Sequence, residues 1–416
     1  MIVNEAFVYE LDPTPEQIQL LWRHCGLARF VFNWALGLWN NEWQKNKDLP
    51  KAERAKRISA YEISKKWTEK KQTPEMEWAY ELMANTASFA IKAADEGFKH
   101  FFRRVRQGGG GKYGHPRFKA RGKARDSFTI QEQNFRAEPL AIKIGKLGMV
   151  RTKEHVIETE AYKKRRTELG RDPKRTLEGR VLRIAVSRRA DRWYASLMVE
   201  RERPDPLPVR GPVVGVDFGI KHRITTSEGF EAKISGRLER RLKQLAHLSR
   251  LYDRKLKGPR KGTQNKYKLR MRIARLHKEI ADVRNDEVHK LSHRLATTSS
   301  LIVVEGFNVA NLVEKRLTKR QLRGGSRSRM RIYNAAWGEL RRQLEYKTKW
   351  YGSALVVTDP LAPTNRECHE CGHVNPPLEP DEPIRNEFIC GGCGHRSTRQ
   401  INTALLQRNV GNKATG

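Results

Sequence analysis

Four of the five cysteines lie within 26 residues, as Cys368-x2-Cys371 and, after eighteen intervening residues, Cys390-x2-Cys393. Two such pairs are the spacing of paired zinc knuckles. Gly372 and Gly394 directly follow the second cysteine of each pair, where a tight turn must close around the ion. Four thiolates complete a tetrahedron, so this Zn2+ is expected to be structural and not catalytic. His369, His373 and His395 stand close by, but four cysteines need no further ligand. The clustering suits a metal site in a reducing compartment better than a disulfide framework. Cys25 stands apart, at helical spacing with Ile18, Leu21 and Trp22, and reads as a small buried apolar residue.

A second set is acidic. Asp217 ends the apolar run Val213-Val214-Gly215-Val216, and Glu305 ends Leu301-Ile302-Val303-Val304. An acid closing an apolar strand is costly unless paired, solvated or metal-bound. Two of them on neighbouring strands could hold Mg2+ for in-line phosphodiester cleavage by water.

The elements that would position these groups can be read from the chain. Residues 14–105 read as mostly helical. Thr14, Pro15 and Gln17 form a capping-box start, and a later helix is expected from about Glu75 to Arg104. Phe89, Phe98, Phe101 and Phe102 are expected in its core, with Arg103, Arg104 and Arg106 at its end. Gly108–Gly111 marks a break. In the following segment Arg117, Lys119, Arg121, Lys123 and Arg125 alternate with Phe118 and Phe128. That mixture suits phosphate contacts and base stacking, with a solvated loop as the alternative. Arg180–Ser187 and Trp193–Val199 alternate as strands around an Ala190-Asp191 turn, part of a small antiparallel barrel. Pro204–Pro208 is a stiff linker. A helical hairpin follows, seamed by Leu238, Leu242 and Leu245 against Leu269, Ile273, Leu276, Ile280 and Val283. Strands at 211–217, 301–305 and 354–359 and a helix at 332–351 complete the pattern.

Composition narrows the partners. The 416 residues suggest two or three domains. The formal charge of +36 spreads along the whole chain and favours a polyanion, since phosphate neutralisation releases counterions. No run of 18 apolar residues predicts a membrane span, and the first residues lack the pattern of a secretory signal.

Taken together, the chain resembles the TnpB family, transposon-encoded RNA-guided RuvC-type endonucleases related to type V CRISPR effectors. The resemblance covers nearly the whole chain. It rests on Pro116-Arg117-Phe118-Lys119, Gly215-Val216-Asp217-Phe218-Gly219, Val304-Glu305-Gly306-Phe307-Asn308, Trp337-Gly338-Glu339-Leu340, the four cysteines, and Ile401-Asn402-Thr403-Ala404. It implies an α/β RNase H-like RuvC domain at 206–362 and 396–416 with a zinc module at 363–395 inserted. It further implies a helical recognition lobe at 13–106 and a wedge-like β-barrel at 1–12 and 107–205.

Its implied partners are a guide RNA and a matching double-stranded DNA beside a short motif, in a prokaryotic, nucleoid-associated setting, with no membrane and no small-molecule substrate. Asp217 matches the first catalytic acid and Glu305 the second. The family's third acid is replaced: Gln400 stands in Thr398-Arg399-Gln400-Ile401-Asn402. A neutral amide is a poor substitute for a carboxylate on Mg2+. Either a relocated acid completes the site, with Asp359 the candidate against a plain turn role before Pro360, or the chain is a nuclease-deficient RNA-guided DNA binder or repressor. A non-guided RNA-binding zinc protein is a remoter alternative.

Overall fold

The computed structural model of the chain divides at Arg203–Pro204, the start of the expected proline-rich linker, into two units. It describes all residues except 51–52, 54–56, 107–113, 132–134, 158–176, 178, 220–221, 258–263, 307–329, 360–365, 378–385 and 416. The expected break at Gly108–Gly111 and the family-like Phe307-Asn308 lie outside the described residues.

The first unit is built on a seven-stranded antiparallel sheet. Its strands are β1 (Ile2–Asp12), β2 (Ser127–Ile130), β3 (Ala137–Glu138), β4 (Ala141–Lys143), β5 (Met149–Thr152), β6 (Arg180–Arg189) and β7 (Arg192–Glu202), in the order β2-β6-β7-β1-β5-β4-β3. The β6–β7 turn passes through Ala190 at φ 56°, where the notional turn was expected. Three helices accompany the sheet: α1 (Pro15–Asn46), α2 (Ala60–Lys71) and α3 (Asn85–Arg106). Both halves of the Thr14/Gln17 capping box are formed. Helix α1 serves two cores. Leu21 and Cys25 pack with the sheet, whereas Leu27, Val31 and Ala35 pack with α2 and α3. Cys25 is buried, and burial pushes its thiol up to about 12.

The continuous helix expected from Glu75 is interrupted. Pro74–Ala79 is a 3-10 turn and α3 begins only at Asn85. Between them, Leu82 enters the helical core and Met83 the sheet core, so adjacent residues diverge into different cores. Of the four phenylalanines expected inside, only Phe98 is buried, and Phe102 is exposed.

The second unit holds the acids. Its mixed sheet contains β8 (Val213–Asp217), β9 (Ile224–Thr226), β10 (Glu231–Ala232), β11 (Leu301–Val304) and β12 (Ala354–Val357), ordered β10-β9-β8-β11-β12. Strands β8, β11 and β12 run parallel, and β9 is antiparallel to β8. All four residues of β11 are buried, as a central parallel strand covered on both faces requires. Helices α4 (Gly236–Lys257) and α5 (Gln264–Thr298) form the expected hairpin with its leucine–isoleucine seam. The helix α6 (Trp337–Tyr351) is shorter than expected. Residues 330–335 are helical, but Ala336 at φ 55° breaks the run. The break lets the Trp337 indole sink into the core and donate to the Arg223 carbonyl at 3.1 Å. The hairpin β13 (Glu387–Ile389) and β14 (Arg396–Thr398) leads into the last helix, α7 (Arg399–Thr415).

Strand alternation divides the faces of this sheet. Val214, Val216, Ile302 and Val304 meet residues of α5 and α6 in one core. Gly215 faces α7, at such close range that a Cβ there would stand 1.9 Å from the Ala404 carbonyl oxygen.

Candidate metal centre and acidic strand edge

Register brings the two acids together. Val216 pairs with Val304 across β8 and β11, so the next position on each strand is Asp217 and Glu305. Both acids continue the alternation of the α7 face, two residues beyond Gly215 and Val303. Asp217 is buried. Its carboxyl is raised to about 7, chiefly by desolvation and then by repulsion from Glu305, while Arg399 pulls it partly back. Arg399 and Gln400 open α7, where the Thr398 hydroxyl accepts from the Ile401 amide at 3.3 Å. A Cβ built on Gly219 would lie 2.1 Å from Gln400 Nε2, which puts that amide against the segment leaving β8. The structure therefore brings Asp217, Glu305, Arg399 and Gln400 to one strand edge. The role of Arg399 escaped the sequence reading because its proximity to Asp217 depends on where α7 docks.

Asp359 shares the edge but not the setting. Val304 pairs with Val357, so Thr358 is level with Glu305 and Asp359 lies one step beyond, on β12's alternate phase. It is exposed and on the side of Glu305 away from β8.

The loop after β8 is braced from behind. The Arg223 guanidinium is buried and donates to Glu287 at 2.9 Å and to the Asn334 carbonyl at 3.3 Å. Glu287 also takes the Ser235 hydroxyl, which in turn caps the Leu238 amide at 3.1 Å. These contacts join the β9–β10 edge to both hairpin helices.

The four cysteines converge as their spacing predicted: their sulfurs lie within 4.8 Å of one another. Cys368 and Cys393 Sγ are 3.8 Å apart, and Cys371 and Cys390 Sγ are 3.5 Å apart. The two knuckles are near copies. The Cys368 amide donates to the His373 carbonyl at 2.9 Å and the Cys390 amide to the His395 carbonyl at 2.9 Å. Gly372 and Gly394 both adopt φ +73°, the left-handed region where a Cβ would be strained. The Cys393 and Gly392 amides point at Cys390 Sγ and draw that thiol down to about 6, toward the thiolate a metal requires. Helix α7 grips the first knuckle. Asn402 Oδ1 accepts the His369 amide at 3.1 Å, its Nδ2 donates to the Glu367 carbonyl at 2.6 Å, and Asn409 Nδ2 donates to the His369 carbonyl at 2.9 Å. The cysteine centre and the acidic edge thus share one helix.

The basic segment of the first unit divides. Arg117, Arg121, Lys123 and Arg125 are exposed, as is Phe118. Lys119 lays its ammonium on the Phe32 ring at 3.7 Å, and its backbone is clasped by Asn33 at 2.7 and 2.9 Å. Arg125 donates to the Ser187 hydroxyl at 2.7 Å. Phe128, expected to stack on bases, is buried in the sheet core against His24. Its strand position, paired with Val186, turns it inward.

A Streptomyces pristinaespiralis protein named "Putative RNA-guided DNA endonuclease" is 33% identical over 97% of this chain and 88% of its own length. The chain belongs to the TnpB family. An Escherichia coli K12 relative, "Putative RNA-guided DNA endonuclease InsQ", is 28% identical over 96% of this chain and 90% of its own. The IS605 OrfB profile, described as "Probable transposase", matches residues 196–316, and a "Cas12f1-like, TNB domain" profile matches 337–406. A "Helix-turn-helix domain" profile of IS605 OrfB matches residues 1–48. In this TnpB-family chain that stretch is the strand β1 followed by the single helix α1. A cryo-EM structure of a Cas12f1–sgRNA–target DNA complex aligns over 98% of this chain and 99% of that chain at 14% identity, with TM-score 0.47. No helix among the described residues is long and apolar enough to cross a membrane.

Proposed function

We propose that this TnpB-family protein is an RNA-guided DNA-targeting protein that binds a guide RNA and a matching duplex beside a short motif. The relatives' names support the guided class, and the +36 charge supports polyanion binding. The observation that carries the nuclease side of the reading is the convergence of Asp217 and Glu305 on the α7 face of two adjacent parallel strands. Three parallel strands with acids at their C-terminal ends, and an antiparallel pair at one edge, support an RNase H-like RuvC domain at 206–362 and 396–416. The strands of the first unit are consistent with a wedge-like barrel at 1–12 and 107–205 around a helical lobe at 13–106. Arg117, Arg121, Lys123 and Arg125 are the exposed phosphate-contact candidates, and Arg125 also donates to Ser187. Lys119 is half-buried against Phe32.

The cysteine centre at 363–395 is proposed to hold Zn2+. With Zn–S of about 2.3 Å, a regular tetrahedron has sulfur–sulfur edges of about 3.8 Å. The Cys368–Cys393 and Cys371–Cys390 separations, 3.8 and 3.5 Å, fit.

Asp217 and Glu305 fit a hard divalent cation, since two adjacent carboxylates with one desolvated need a positive charge between them. Bound there, Mg2+ would neutralise a scissile phosphate and acidify a water. The chain's own part is to hold both carboxylates at one level, while Arg399 adds positive charge at the entrance of α7. Gln400 occupies the place from which a third acid would face the pair. Its neutrality favours the second reading, a guided DNA binder with weak or no cleavage, since binding is held by base pairing and not by the acids. Asp359 is the candidate for a relocated acid.

The test is to purify the chain with its RNA, sequence that RNA, and incubate the complex with matched plasmid and Mg2+. Bound DNA, nicked or intact, supports guided targeting, and cleavage lost in Asp217→Ala assigns the cut to this edge. Cleavage lost in Asp359→Ala with binding kept would assign Asp359. No defined RNA and no matched-target preference would overturn the proposal.

A further inference from the structure

Beside the four sulfurs lies a group of harder donors. One nitrogen each of His369 and His395 and one Glu370 oxygen lie within 4.8 Å of one another. His369 Nε2 stands 3.9 Å, and His395 Nδ1 3.4 Å, from Glu370 Oε1. Metal–nitrogen and metal–oxygen bonds of about 2.1 Å at tetrahedral angles put donors about 3.4 Å apart, within half an ångström of both separations.

The tautomer of His369 is set from outside. Asn402 Oδ1 already accepts the His369 amide, and its Nδ2 is spent on the Glu367 carbonyl, so the oxygen assignment follows from two partners. That oxygen lies 3.1 Å from His369 Nδ1, which must therefore carry the ring proton. Nε2 is thereby the nitrogen turned toward the Glu370 carboxylate. A carbonyl fixing one ring nitrogen so that the other can bind metal is the usual outer-shell arrangement. His395 presents its Nδ1, and not its buried Nε2, to the same carboxylate oxygen, at 3.4 Å. The donors come from both knuckles, His369 and Glu370 from the first and His395 from the second.

We propose that His369, Glu370 and His395 form a second, open divalent-metal site beside the four-cysteine centre. Two imidazoles and one carboxylate suit ions of the Zn2+, Co2+ and Ni2+ class and not Mg2+. Three protein ligands leave one or more positions for water or an anionic oxygen. A second ion ties the two knuckles together. A neighbouring tetrathiolate centre, formally dianionic when filled with a divalent ion, lowers the cost of placing it there. The inference leans on the four-cysteine reading only for that last effect.

Cobalt titration of the full-length, metal-stripped chain tests it, because thiolate charge-transfer bands report the cysteine centre separately. The expected result is a second equivalent of Co2+ that adds only weaker nitrogen–oxygen ligand-field bands. Glu370→Gln, at an exposed side chain, should weaken that second equivalent about tenfold or more. His369→Ala with His395→Ala should abolish it, with the thiolate bands kept in both variants. If the histidine pair also disturbs the thiolate bands, Glu370→Gln decides. A wild-type chain that takes no second ion, or a second ion indifferent to Glu370→Gln, overturns the site. Missing thiolate bands would instead sink the four-cysteine reading.

Discussion

The cysteine centre and the acidic edge both lean on α7, yet they are assembled by different means. Each half of the cysteine centre is a six-residue turn closed by its own backbone hydrogen bonds, and β13–β14 holds the second half in register. The acidic edge owns no such local structure. Asp217 and Glu305 are 88 positions apart in sequence and meet only because β8 and β11 pair in parallel. The same contrast holds for charge. The Cys390 sulfur receives two amide donors that draw its thiol down, whereas Asp217 is desolvated and faces a like charge. A locally built site needs its ion to be stable, and a tertiary site stores a penalty that its ion can remove.

The largest effect that would break this contrast is Cys368→Ala. Structural zinc contributes on the order of 10 kcal/mol to small thiolate modules. Loss of zinc by elemental analysis and new proteolysis within 363–395 are expected, and unchanged metal content would refute the centre. Next is Gln400→Asp, which restores a third carboxylate against the pair. Plasmid cleavage by the guided complex should rise about 10³-fold, a barrier change of about 4 kcal/mol. No gain would show that Gln400 is not what limits the cut.

Third, Asp217→Asn in metal-free protein should stabilise the fold at pH 8 by roughly 2–4 kcal/mol. The sign follows from the raised value: the native carboxyl keeps its proton up to about 7 while the unfolded one loses it near the ordinary 3.8. Wild-type stability therefore falls as pH rises between those values and is level above. Denaturant titrations should show that slope in wild type and not in the variant, with little difference at pH 4. Equal slopes would mean that Asp217 is not desolvated. The smallest effect expected is Gly215→Ala. A Cβ there would meet the Ala404 oxygen at 1.9 Å and the Arg408 nitrogen at 2.5 Å, forcing α7 outward at a cost of about 1–3 kcal/mol. A neutral result would show that α7 does not rest directly on β8.

Several features were legible in the residues alone. The capping box at Thr14, the Ala190-Asp191 turn, the leucine–isoleucine hairpin and the cysteine turns are each set within a few residues, by φ preferences, side-chain caps or 3.6-residue periodicity. The misreadings have the opposite character. The helix from Glu75 broke because Leu82 and Met83 belong to different cores, and Phe128 turned inward because of its partner in β6. Helix 332–351 broke at Ala336 where the Trp337 indole reaches Arg223.

By itself the sequence determined the local chemistry: which residues are acids, thiols or cations, and which turns can close. Tertiary structure alone decided which of these meet. Parallel pairing set Asp217 level with Glu305, the docking of α7 brought Arg399 and Gln400 to them and Asn402 to His369, and strand phase put Asp359 one step beyond Glu305's level. The reason is range: dihedral preferences and caps act over a few residues, whereas desolvation and charge act on whatever the folded chain places within a few ångströms.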